Sequence, residues 1–122
     1  MAEQREHIRI SESLMISHRL LEETYRTGFR SKDISEGGIC FPSFRKFERG
    51  TNLELEIHIS GFEKPIVVTG QVEWIHKTDD IKYPFSVGIK FIRINLLDRR
   101  KLHNYILLKS EGGDSRDIKW IG

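Results

Sequence analysis

Apolar and polar residues alternate strictly in Leu53-Glu54-Leu55-Glu56-Ile57-His58-Ile59. A period of two is that of a β-strand with one face in a core and the other in water. Ser60-Gly61-Phe62-Glu63 reads as the following turn, and Ile66 to His76 as the returning strand. Ile66, Val68, Gly70, Val72 and Trp74 share one register of that strand. A second turn spans Thr78 to Lys82, and Phe85, Val87, Ile89 and Phe91 mark another alternating strand. Upstream the alternation is weaker. Leu14, Ile16 and Leu20 suggest a first strand, and Tyr25, Thr27 and Phe29 a second within Thr24 to Lys32. Gly37-Gly38 permits a bulge or tight turn. Ile39 to Phe44 is a short apolar strand, closed by Pro42 and the polar stretch Arg45 to Gly50.

The period changes after Ile94. Asn95 is a good N-cap and Asp98 occupies the acidic third helical position. Leu97, Leu102, Tyr105, Ile106 and Leu108 return at helical spacing, which predicts an amphipathic helix from Leu96 to about Leu108. Six strands followed by a helix predict a mainly β fold: a six-stranded, antiparallel, Greek-key-like β-barrel with a C-terminal α-helix. Residues 1–12 read as a flexible polar arm, 13–108 as the barrel and helix, and 109–122 as a tail.

The chain's 122 residues are enough for one modest core. A formal charge of +2 is too weak for a dense basic face, so no nucleic-acid partner is expected. The lone cysteine, Cys40, has no disulfide partner and reads as a small packed residue, which fits a cytoplasmic location. The charged N-terminus does not resemble a signal peptide, and no apolar run reaches membrane-spanning length. The five histidines show no metal-ligand spacing, and no nucleophile–base order or phosphate-binding glycine loop stands out. No metal or cofactor is expected, and a binding module is favoured over an enzyme.

Two short motifs carry chemistry. Arg5-Glu6-His7-Ile8-Arg9 spells RxxxR, and Asp33-Ile34-Ser35-Glu36-Gly37-Gly38 spells DxSxxG. A guanidinium forks onto phosphate or onto guanine N7 and O6, and stacks on a base. A carboxylate accepts from guanine N1 and N2 hydrogens, so Asp33 is a candidate guanine reader and equally a turn former. Ser35 offers a hydroxyl to phosphate or base, or simply to the turn. Gly37 and Gly38 allow close approach of a ligand or serve the backbone alone. RxxxR recurs at Arg26/Arg30 and Arg45/Arg49, whereas DxSxxG occurs once. Average residue frequencies put the latter in only about one chain in thirty to fifty of this length.

The order of these pieces resembles the PilZ domain family, bacterial receptors for cyclic di-GMP. The resemblance runs from about Arg5 to Leu108. It also rests on Gly50-Thr51-Asn52-Leu53-Glu54-Leu55, Gly70-Gln71-Val72-Glu73-Trp74 and Val87-Gly88-Ile89-Lys90-Phe91. It implies that the arm grips a guanine dinucleotide on the barrel surface through Arg5, Arg9, Asp33, Ser35, Gly37 and Gly38. It also implies that an aromatic near Trp74 lines the site, although the register of Trp74 equally fits the core. Gln4, ahead of the first arginine, leaves one or two nucleotides per chain open. The expected role is a cyclic di-GMP effector that changes conformation and signals to an unidentified partner protein. The alternative is a degenerate PilZ-like interaction module that binds no nucleotide.

Overall fold

The computed structural model describes residues 8–23, 26–112 and 118–120. Eight strands precede a helix and a ninth follows it. They are β1 (Ile8–Ile10), β2 (Met15–Leu20), β3 (Thr27–Arg30), β4 (Asp33–Ile34), β5 (Gly38–Ser43), β6 (Asn52–His58), β7 (Ile66–Lys77), β8 (Phe85–Ile94), the helix α1 (Leu96–Gly112) and β9 (Ile118–Trp120). All nine join one antiparallel sheet in the order β3-β2-β6-β7-β8-β5-β4-β1-β9. Within it β6, β7 and β8 form a meander and β5 returns beside β8, which is a Greek-key order.

The expected six-stranded barrel is therefore corrected. β3 and β9 each have one sheet neighbour, so no backbone pairing among the described residues closes the sheet. It is a curled half-barrel. The curl brings Phe29 of β3 over Phe41 of β5, with ring centroids 3.8 Å apart. The three additional strands have two or three residues each, too few to display a period. The strand expected over Thr24 to Lys32 is confined to β3, and Asp33–Ile34 forms β4. Pro42 lies within β5 instead of ending it. β4 reaches β5 only as far as Cys40, so β5 has an open flank at Pro42, where a missing amide is tolerated.

The arm expected over residues 1–12 is corrected from residue 8 onward. Ile10 pairs with Ile34, and Ile8, Arg9 and Ile10 pair with Trp120, Lys119 and Ile118. Residues 1–7, including Arg5 and Gln4, lie outside the described residues. In the segment expected as a tail from residue 109, α1 continues to Gly112 and Ile118–Trp120 is sheet.

The inner face of the sheet carries the core: Ile16, Leu53, Leu55, Ile57, Ile66, Val68, Val87, Ile89, Ile39, Phe41, Ile34 and Ile10. Leu102 and Ile106 of α1 close over it. Leu97 and Leu108, expected on the same stripe, are exposed. The helix start is anchored twice. Asn95 Oδ1 accepts from the Asp98 amide at 2.8 Å, and Asp98 Oδ2 accepts from the Val67 amide of β7 at 3.0 Å. No helix among the described residues is long and apolar enough to cross a membrane.

Candidate functional site

Four strands present one row of residues outward. Asp33 of β4 pairs with Cys40 of β5, Cys40 with Gly88 of β8, and Gly88 with Trp74 of β7. Their sequence neighbours Ile39, Val87 and Ile89 belong to the core, so this row faces the other way. In the next outward row, Ser86 stands between Pro42 and His76. Small side chains in the middle and large ones at the ends make a groove. Cys40, Ser86 and Gly88 floor a cleft of about 480 Å³, with Arg9, Lys32 and Asp33 on one wall and Trp74 and His76 on the other. Glycine is required at position 88, since a Cβ there would lie 2.1 Å from the Trp74 ring. Cys40 packs as expected but beneath this cleft, its sulfur 3.6 Å from Ser86 Oγ. Burial pushes its thiol pKa up, which disfavours the reactive thiolate.

Trp74 reaches the groove because of a bulge. Val72 pairs with Ile89, but Trp74 pairs with Gly88 and Ile75 with Val87. Glu73 is the extra residue of β7, and the insertion switches which positions face the core. Ile75 packs on the core, whereas Trp74 is half-buried on the outer face. The register shared with Val68 and Val72 in the sequence is thus broken in the fold. Trp74 stacks on His76, with centroids 4.6 Å apart and planes 23° apart.

Arg9 donates a hydrogen bond to the Asp33 carboxylate, and the side chains are only 17% and 20% exposed. Arg9, Glu73 and Ile89 also line an adjoining cleft of about 630 Å³. Its other wall is the β4–β5 turn, Ser35 to Gly38, and its rim carries Lys90, Arg93 and Arg99. Ser35 is buried, its amide donating to the Gly38 carbonyl at 2.9 Å and its hydroxyl accepting from the Gly37 amide at 3.2 Å. Neither Gly37 nor Gly38 has a positive φ. Gly38 is demanded by strand packing instead, because a Cβ would lie 2.4 Å from the Ile89 carbonyl oxygen. Glu36, within the turn, meets His103 Nδ1 of α1 at 2.5 Å.

The fold thus gathers Arg9, Asp33, Ser35, Gly37, Gly38 and Trp74 around two joined clefts, while Arg5 lies outside the described residues. The other RxxxR copies are engaged elsewhere: Arg26 pairs with Glu54 and Glu56, and Arg45 with Glu23 at 3.1 Å. Sequence reasoning missed Lys32, Glu73, His76, Lys90, Arg93 and Arg99. No pattern unites them, because they come from the β3–β4 connection, β7, β8 and α1, which strand pairing and a bulge bring together. The arrangement offers cations, a stacking face and carboxylate acceptors. No group of metal ligands occurs among the described residues.

A family model described as the PilZ domain matches residues 3–108. The chain belongs to the PilZ domain family. No curated protein matches it at a significant level. Among solved structures, this PilZ domain is similar to the Bacillus subtilis inhibitor of motility MotI/DgrA, with a TM-score of 0.75 and 20% identity over 91% of this chain and 53% of that one. It is similar to the PilZ domain of Escherichia coli YcgR, solved with c-di-GMP, with a TM-score of 0.63 and 20% identity over 90% and 95%. The K. pneumonia MrkH–c-di-GMP complex aligns with a TM-score of 0.68 and 15% identity over 91% and 54%. The chain spans about half the length of the MotI/DgrA and MrkH chains.

Proposed function

We propose that this PilZ domain is a receptor for cyclic di-GMP that binds the nucleotide without turning it over and signals to a partner protein. The observation that carries the reading is the meeting of Arg9, Asp33 and Trp74 in one outward groove. Cyclic di-GMP has two phosphates and two guanines, and the groove offers a complement to each. The Trp74 ring provides a stacking face for a guanine. Asp33 accepts from guanine N1 and N2. The ion pair with Asp33 aims Arg9 while leaving most of its five N–H donors for phosphate or for guanine N7 and O6. Arg5, four residues ahead, adds the second guanidinium. Ser35, Gly37 and Gly38 shape the turn that walls the adjoining cleft, and the Glu36–His103 contact links that turn to α1. A nucleotide seated against the turn would thereby act on the helix and on any partner that reads it.

Calorimetric titration with cyclic di-GMP tests this reading and gives the stoichiometry. Saturable binding should be lost, or weakened at least tenfold, in Arg9→Ala and in Asp33→Ala variants that keep the wild-type circular dichroism spectrum. Failure of the wild-type chain to bind at tens of micromolar would overturn it. One observation favours the rival reading as a nucleotide-independent interaction module: the Asp33 carboxylate is already engaged by Arg9. A heteronuclear NMR spectrum unchanged by the nucleotide would select that rival.

A further inference from the structure

Three carboxylates line the two joined clefts, and they are not equivalent. Asp33 is bonded by Arg9, and Glu36 by His103. Glu73 is exposed and has no hydrogen bond or ion pair among the described residues. It lines both clefts, and it stands there because it is the extra residue of the β7 bulge, next to Trp74. A carboxylate with no partner among the described residues, beside Arg9, Lys90 and Arg93, should weaken capture of a dianion unless the ligand itself brings hydrogen-bond donors to it. Guanine brings two, N1–H and the N2 amine, side by side on one edge. Adenine presents an acceptor at N1 and no amine at C2, so it leaves a carboxylate unsatisfied. The proposed ligand has two guanines, and Asp33 serves only one of them.

Resting on the cyclic di-GMP reading above, we propose that Glu73 is a base-specificity residue: its carboxylate accepts from the Watson–Crick edge of the second guanine. The bulge is then a device for base selection. It turns Trp74 outward for stacking and sets a carboxylate beside it to read the edge of a guanine.

The sign of one substitution decides the matter. Wild type, Glu73→Gln and Glu73→Ala are titrated calorimetrically with cyclic di-GMP and cyclic di-AMP. A carboxylate that reads guanine makes Glu73→Ala bind cyclic di-GMP roughly ten- to a hundredfold more weakly. Cyclic di-AMP then binds no worse than to wild type, so discrimination between the two narrows. Cyclic di-IMP, which lacks the C2 amine, provides a second readout: loss of the amine costs less affinity in Glu73→Ala than in wild type. A carboxylate that merely repels the phosphates predicts the opposite, with tighter binding of both nucleotides on its removal. Unchanged or tighter binding of cyclic di-GMP overturns the proposal while the receptor reading stands. A wild-type chain that binds no cyclic di-GMP overturns both. Glu73 is exposed, so an unchanged melting temperature separates these outcomes from misfolding.

Discussion

His18 on β2 is 2% exposed and lies among Phe29, Phe41 and Phe47, whose ring centroids are 4.7, 5.9 and 5.4 Å away. Its Nδ1 has no hydrogen-bond partner among the described residues. Burial lowers its pKa from 6.5 to about 4, and the Arg45 charge adds to the effect. The folded chain thus refuses a proton that the unfolded chain accepts. Stability is full above pH 6.5 and falls with pH through the window down to about 4, by about 3 kcal/mol from this residue. Urea unfolding at pH 7.5 and pH 4.5 should show the drop, and His18→Leu should shrink it; an equal drop in both proteins would contradict the assignment. At the residue scale, the sequence was legible where a side chain has one use and opaque where position decides. Asp33 and Arg9 stood out by motif. Trp74 could face either way until the insertion of Glu73 set its side, and the steric demand at Gly88 exists only because Trp74 lies over it.

Among the elements, α1 is held by its first turn. The Asp98 carboxylate accepts from the Val67 amide and from Asn95 Nδ2, at 3.0 and 3.2 Å, and is 8% exposed. Asp98→Ala would leave the Val67 amide of β7 without its acceptor and remove half of the cap. A loss of about 2 kcal/mol is expected, against about 1 kcal/mol for Asn95→Ala, which removes only the cap. Chemical denaturation of the two variants checks the order; equal losses would mean that the tie to β7 contributes nothing. The cap residues and the long alternating strands were readable because seven or more residues establish a period, as in β6, β7 and β8. The strands β1, β4 and β9 have no such run, and they form because a neighbouring strand offers free backbone groups. The same holds for Ile8–Ile10: nothing local marks it as sheet, yet the pairing of Ile10 with Ile34 holds it there and so positions Arg9.

At the scale of the molecule, one curled sheet separates two tasks. Its inner face and α1 bury the core, and its outer face holds the clefts, so the groove can change occupant without repacking the interior. Because the site draws on β1, β4, β5, β7 and β8, a ligand there bridges strands that lie far apart in sequence, and unfolding must release it. A ligand that binds only the folded chain stabilises it by RT ln(1 + [L]/Kd), about 2.7 kcal/mol at a hundredfold excess over Kd. For a domain of 122 residues that corresponds to a rise in Tm of roughly 10 °C. Thermal melts with cyclic di-GMP should therefore climb with the logarithm of its concentration. The Arg9→Ala variant should show little climb over the same range, although its own Tm reflects the lost pairing with Asp33. The contrast matters more than either curve. A nucleotide adhering to scattered surface cations would raise both proteins equally and would do so less as salt is added, whereas a groove organised around Arg9 separates them. Parallel curves for the two proteins would mean that the nucleotide does not use this groove, whatever its affinity.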